Sequence, residues 1–237
     1  MSRSSVYKGS FKKSTFREYF ESLLIAVILA LFVRTWVVQA FKIPTGSMEN
    51  NLLVGDHLLV NKYVFGSTAS EGERFLLPAD KVSRGDIVVF KFPRAPERDF
   101  IKRIIGLPGE TLEVRDKTVM IDGIVLDEPY LPEWMTSLAE GSFAIDGRDN
   151  FGPLPIPTGH YFVMGDNRDN SEDSRYWGTL PHDHLKGKAA IIYWSYQVEG
   201  QQIVLNPGVG ETVRRFASVV THFFTRTRWD RMFQQVR

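Results

Sequence analysis

Thr118-Val119-Met120-Ile121-Asp122-Gly123-Ile124-Val125-Leu126 reads as a β-hairpin. Two runs of β-forming residues flank Asp-Gly, a dipeptide that tolerates the paired left-handed conformations of a tight two-residue turn. Working outward, short apolar runs of strand length recur at 57–63, 86–92, 100–106, 111–114, 161–164 and 189–194. They are bounded by turn residues such as Arg84-Gly85-Asp86, Leu107-Pro108-Gly109 and Gly159. Many short strands without a long helical period predict a mainly β, antiparallel domain over 41–208. The Pro-, Gly- and acid-rich stretch 127–157 reads as a long surface excursion with a turn or small hairpin.

Upstream, Leu23 to Val33 is an unbroken apolar run. Arg34 interrupts it and Trp36-Val37-Val38 resumes it. Residues 22–40 are long enough to span about 30 Å of hydrocarbon as a helix. Residues 1–21, with Arg3, Lys8, Lys12, Lys13 and Arg17, form a basic tail of the kind retained in the cytoplasm, so everything after Ala40 is expected outside. A cleavable secretory signal ending at Val38-Gln39-Ala40 is the competing reading. The anchor is preferred because the apolar stretch continues past Arg34 and a catalytic candidate follows Ala40 closely. Downstream, Val213, Phe216, Ala217, Val220, Phe223 and Phe224 fall at helical spacing, with arginines after them. This predicts a basic amphipathic helix over 209–237, lying in the membrane interface or packed on the β-domain.

Composition narrows the function. A net charge of +1 gives no global field for nucleic acid. The absence of cysteine removes disulfides, thiolate metal sites and a Cys nucleophile. In Phe41-Lys42-Ile43-Pro44-Thr45-Gly46-Ser47-Met48, Pro44 biases Ile43 toward an extended form and Gly46 permits a bend. Ser47 can then present a hydroxyl and a backbone N–H together, as a nucleophile with its own oxyanion donor requires. A plain turn is the bland reading. None of the five histidines has a recognisable protease context, although a site built on His57 stays open. Lysine is the other base, and burial must lower its pKa by about 2 units or more to free its lone pair. Lys102, on one face of a strand with Phe100 and Ile104, qualifies; Lys62 and Lys91 do too. The Asx-rich loop from Gly165 to Gly178 is a hydrogen-bonded loop. As a calcium loop it fails, because Arg168 stands where a carboxylate is needed.

In chain order, Ile43-Pro44-Thr45-Gly46-Ser47-Met48, Arg84-Gly85-Asp86-Ile87-Val88-Val89-Phe90, Lys102 to Glu110 and Gly165 to Gly178 resemble the bacterial type I signal peptidases. The resemblance covers most of the chain between Phe41 and Trp194. It implies a membrane-bound serine endopeptidase with an outward catalytic domain on the cytoplasmic membrane, acting on exported preproteins with small residues before the cut and needing no metal or organic cofactor. Ser47 would be the nucleophile and Lys102 the general base. Thr45 and the Ser47 amide would form the oxyanion hole. Ser171 would orient the Lys102 amine, with Asp173 and Arg175 holding the loop, and Phe41, Ile43, Met48 and Ile101 would line shallow pockets. Two departures stand out: Thr45 replaces the commoner serine, and Glu49-Asn50-Asn51 replaces the usual Pro-Thr after the methionine. The alternative is a membrane-tethered, non-catalytic β-domain serving binding or assembly.

Overall fold

The computed structural model describes residues 15–62, 81–139, 143–197, 210 and 217–236. The basic residues at positions 3–13, the end of the expected strand 57–63 and the start of the expected C-terminal helix lie outside them.

The chain divides into two compact units, Met1–Val37 and Val38–Arg237. In the first, helix α1 (Thr15–Phe32) has no buried residue, and Leu23, Ile25, Leu29 and Phe32 all present their side chains outward. A π-helical segment, Val33–Val37, follows. Among the described residues no helix is long and apolar enough to cross a membrane. The opening turns of α1 carry Arg17, Glu18 and Glu21, and its regular α-helical hydrogen bonding stops at Phe32. The span expected to reach Ala40 also ends early. Val38-Gln39-Ala40 pair with Asn61-Val60-Leu59, so their backbone groups belong to a sheet.

The second unit is mainly antiparallel β. Its strands are β1 (Val38–Lys42), β2 (Asp56–Asn61), β3 (Ile87–Phe92), β4 (Ala95–Gly106), β5 (Thr111–Arg115), β6 (Thr118–Ile121), β7 (Ile124–Val125), β8 (Phe151–Pro155), β9 (His160–Met164), β10 (Leu180–Pro181) and β11 (Leu185–Ser195). A seven-stranded sheet runs β1-β2-β11-β3-β4-β9-β10, and a four-stranded sheet runs β7-β6-β5-β8. The quoted hairpin is β6–β7. Asp122 and Gly123 take φ of 50° and 79°, the left-handed pair that the tight turn needs.

The runs β3 (IVVFKF) and the second half of β4 are nearly continuous in burial because side chains pack on both faces. One apolar cluster gathers Val88, Phe90, Ile104, Val163 and Trp177; another gathers Ile43, Met48, Leu52, Leu58, Val89 and Ile101. A third, with Ile105, Leu112, Val119 and Phe162, joins strands of the two sheets.

The stretch 127–157 is more than a surface excursion. It contributes β8, paired with β5, and a helical turn, α2 (Glu133–Thr136). It also sends Glu128 into the interior, where the carboxylate pairs with the guanidinium of Arg168.

The expected helix over 209–237 is not continuous. Helical residues are seen at 217–221 and in α4 (Phe223–Arg226), and then the chain extends. Thr227 and Gln235 form bridges with Tyr196 and Ile191 of the sheet region. Arg228 and Arg231, expected to face phosphates, turn inward to the fully buried Asp56. A carboxylate stripped of water supplies the reason, since it is stable only with cations and donors around it.

Candidate active site

Ser47 sits in a single 3-10 turn, Gly46–Met48. Thr45 before it is extended, with φ −131° and ψ 157°, and its hydroxyl makes no capping bond. The amide of Ser47 lies in the first turn of that helix, where N–H groups have no intrahelical acceptor. Gly46, expected to permit a bend, is not in the left-handed region. A side chain there would instead strike the carboxylate of Glu49, at 2.8 Å. The left-handed residue is Asn50, with φ 88°.

Lys102 enters from β4. Its side chain is buried, 3% exposed, and its Nζ lies 2.6 Å from Ser47 Oγ and 5.5 Å from the centre of the Phe100 ring. Burial pushes the amine down to about 8, against the upward pull of Asp173, Glu172 and Asp166. No carboxylate forms an ion pair with Lys102 among the described residues. The other two candidate lysines differ. Lys91 is exposed, and Lys62 lies in a bend after β2. His57 is half-buried beside Tyr193 and Trp194 and is paired in register with Lys42, so it does not partner Ser47.

The acidic loop that follows β9 packs against the Ser47 turn. Asn167 donates its backbone N–H to Ser47 O at 3.1 Å and its side-chain amide to Gly46 O at 3.0 Å. Gly165 packs so closely that a Cβ there would come within 2.5 Å of Ser47 O and 2.2 Å of Ser171 Oγ. Asp173 caps the helical turn α3 (Ser174–Trp177) and takes both Nε and Nη2 of Arg175, at 2.9 Å each, and the Gly165 amide. Burial raises the Asp173 carboxyl, but the charge and hydrogen bonds of Arg175 and the Gly165 amide outweigh it and hold the group below its ordinary value. Arg175 also donates to Arg168 O, locking the loop on itself.

The remaining expected residues divide. The Ser171 hydroxyl is buried; among the described residues it has no hydrogen bond to Lys102, and it helps to hold the Asp173 carboxyl below its ordinary value. Ile43 and Met48 are fully buried in the cluster beside Ser47 and present no open surface. Phe41 is the half-exposed member of the expected pocket, with Ile101 nearly buried in the same cluster.

Several supporting residues carried no sequence signal. Arg103, next to Lys102, forms a two-pronged pair with Asp166 at 2.8 and 2.7 Å, donates to Gly85 O and stacks 3.9 Å over Tyr130. Asn51 donates to Asp166 at 2.7 Å and to Tyr130 O. Only the non-local pairing reveals them, because an Asn or Tyr in a turn-rich stretch has many solvated precedents.

A serine hydroxyl 2.6 Å from an amine of lowered basicity is within reach of direct proton transfer. Thr45, two residues before the serine, is exposed and makes no capping bond, and the Ser47 N–H lies in the first turn of its helix. The arrangement suits nucleophilic attack on a carbonyl. Comparison with known proteins points the same way. The family described as signal peptidase, peptidase S26, matches residues 16–194. Signal peptidase I of Pseudomonas aeruginosa is 34% identical over 206 residues, covering 76% of this chain and 72% of that protein. Signal peptidase I of Aquifex aeolicus is 32% identical, covering 77% and 86%. Signal peptidase I T of Bacillus subtilis is 33% identical, covering 78% and 89%.

Proposed function

The chain belongs to the signal peptidase family, peptidase S26, and from that premise we propose that it removes signal peptides as a serine endopeptidase with Ser47 and Lys102 as its dyad. The observation that carries the assignment is the 2.6 Å approach of a buried, unpaired amine to the serine hydroxyl.

Neutral Lys102 takes the Ser47 proton as Oγ adds to the scissile carbonyl. The Thr45 hydroxyl and the Ser47 N–H donate to the oxyanion. The tetrahedral intermediate collapses as the lysinium returns its proton to the leaving amine, giving an ester on Ser47. Water, deprotonated by Lys102, then hydrolyses the ester and restores the dyad. Strand β1 is an edge of the large sheet and leads directly toward Ser47, so an extended preprotein segment can lie along it. Preference for small residues before the cut follows from the packing beneath. With Ile43 and Met48 already filling the core, Phe41 and Ile101 leave only a shallow wall.

The apolar part of α1 and the segment after it hold the enzyme at the bilayer, with the preceding basic residues cytoplasmic and the β-domain outside. The all-round exposure of Leu23, Ile25, Leu29 and Phe32 supports this, since such a helix must be covered by something apolar. Because the chain has no cysteine, single-cysteine labelling tests the topology. An impermeant maleimide added to intact spheroplasts should modify Glu97→Cys and spare Ser5→Cys; the reverse pattern refutes the orientation.

The activity test is incubation of the purified full-length protein with a preprotein carrying alanine at the first and third positions before the cut. Ser47→Ala and Lys102→Ala should each lose processing while retaining the wild-type circular dichroism spectrum. Normal processing by either variant overturns the dyad.

A further inference from the structure

The C-terminal segment 227–236 runs back along β11 as a strap. Its backbone is stitched to β11 by four bonds: Arg228 N to Ser195 O, Phe233 N to Ile192 O, Ile192 N to Gln234 O and Val236 N to Ala190 O, between 2.7 and 3.0 Å. Val236 packs on the same apolar cluster as Ile43 and Met48, the residues flanking the nucleophile turn.

The contact that matters is made by Arg231. Its Nη2 donates to Asn51 O at 2.8 Å and to Asp56 Oδ2 at 2.7 Å, and its Nε donates to Asp56 Oδ1 at 3.3 Å. Asn51 lies four residues after Ser47. Its own N–H, with that of Leu52, bonds back to Met48 O, and its side chain reaches Asp166 beside Arg103. Between Ser47 and Asn51 the chain turns through Asn50 in the left-handed region, φ 88°. For a residue other than glycine this conformation is uncommon and costs about 1 kcal/mol or more, so neighbouring contacts must hold it. Asp56, fully buried, carries the negative charge that keeps the guanidinium in place and also accepts from Leu53 N and Ser195 Oγ.

We propose that residues 227–236 are an intramolecular strap and that Arg231 is a positioning residue, fixing the turn after Ser47 so that the hydroxyl stays in line with the Lys102 amine. Arg231 touches neither the reacting atoms nor substrate; it acts through the Asn51 carbonyl and the Asp56 carboxylate. Without it the turn slackens, water reaches the amine and the base titrates at higher pH.

The proposal rests on the Ser47–Lys102 reading. The assay therefore includes Ser47→Ala, whose silence against an active wild type establishes that reading first. The informative variant is Arg231→Lys in the full-length protein. A lysine keeps a positive charge for Asp56, but its single compact ammonium cannot reproduce the planar fork that serves Asp56 and Asn51 O together. Cleavage of the alanine-carrying preprotein is followed against substrate concentration and pH. The expected result is a kcat lower by about three- to thirtyfold with KM nearly unchanged, and an acid limb of the pH profile displaced upward. Arg231→Ala should show the larger effect. Trp229→Ala, on the outer side of the strap against Phe223 and Phe224, should leave kcat unaltered. A folded Arg231→Lys with wild-type kcat and pH profile overturns the proposal. So does a loss that tracks only the folded fraction with an unmoved pH profile, or failure of Arg231→Lys to fold, either of which makes Arg231 a residue of stability alone.

Discussion

Lys102 and Arg103 are neighbours on β4, both cationic residue types and both buried, and the strand sends them to opposite sides. On the Arg103 side the guanidinium donates to two carboxylate oxygens and a carbonyl and stacks on a tyrosine face. On the Lys102 side the nearest polar group is a serine hydroxyl, with Phe100 lying alongside. The nearby Asp173 carboxylate is engaged by Arg175. Burial alone does not mark a functional cation. Burial without a counter-ion does, because that combination drives the amine toward its neutral, proton-accepting form.

Breaking the Lys102 side should produce the largest change. Lys102→Met is expected to reduce preprotein cleavage by about a thousandfold or more, read by kcat/KM against wild type. On the other side, Arg103→Met leaves Asp166 buried with only Asn51, a loss of about 3–5 kcal/mol seen as a lower unfolding midpoint. The two substitutions should thus move stability in opposite directions. Lys102→Met is expected to stabilise by about 3 kcal/mol at pH 7, the penalty of an amine lowered from 10.5 to about 8. The sign follows from linkage. The unfolded chain holds the Lys102 proton up to about pH 10.5 and the folded chain only to about pH 8. The penalty is therefore complete below pH 8 and fades as pH rises toward 10.5, and the advantage of Lys102→Met should vanish over that window. Cleavage by the wild type should show an acid limb in kcat/KM near pH 8, losing about tenfold for each pH unit below it; an acid limb below pH 6 breaks the comparison. The smallest effect belongs to Asn50→Gly. It removes no bond to either side and relieves a left-handed residue, so stability should change by less than about 1 kcal/mol.

Legibility in the sequence followed the range of the interactions. The hairpin at 118–126 and the apolar run of β3 announced themselves, since alternation, β-branching and Asp-Gly are local. Strand β1 was masked by its own hydrophobicity: Val38 and Ala40 extend the apolar N-terminal stretch and read as part of an anchor. Strand β8 carries Pro153 and Pro155, which an edge strand accommodates but which argue against a strand on sight. Ser47 and Lys102 were picked out by the resemblance, whereas spacing left Lys62 and Lys91 equally eligible; solvent exposure of Lys91 separates it from Lys102 only in the folded chain. The inward turn of Arg228 and Arg231 toward Asp56 could not be foreseen, since arginines following an amphipathic pattern look alike whether they meet lipid phosphate or a distant carboxylate. Ser171 illustrates the converse: the motif is present, but its hydroxyl bears on Asp173, with no hydrogen bond to Lys102 among the described residues.

The close seating of Gly165 against Ser47 O has a consequence for timing. The turn that bears the hydroxyl and the loop that clasps it are far apart in the chain, and neither can be replaced by local structure. At about 5–20 residues per second, a ribosome takes on the order of ten seconds to pass from one to the other. Through that interval the nascent chain carries Ser47, the proposed nucleophile, without its clasp. On the proposed reading, cleavage waits until the loop at Gly165 has been made and has closed on Ser47.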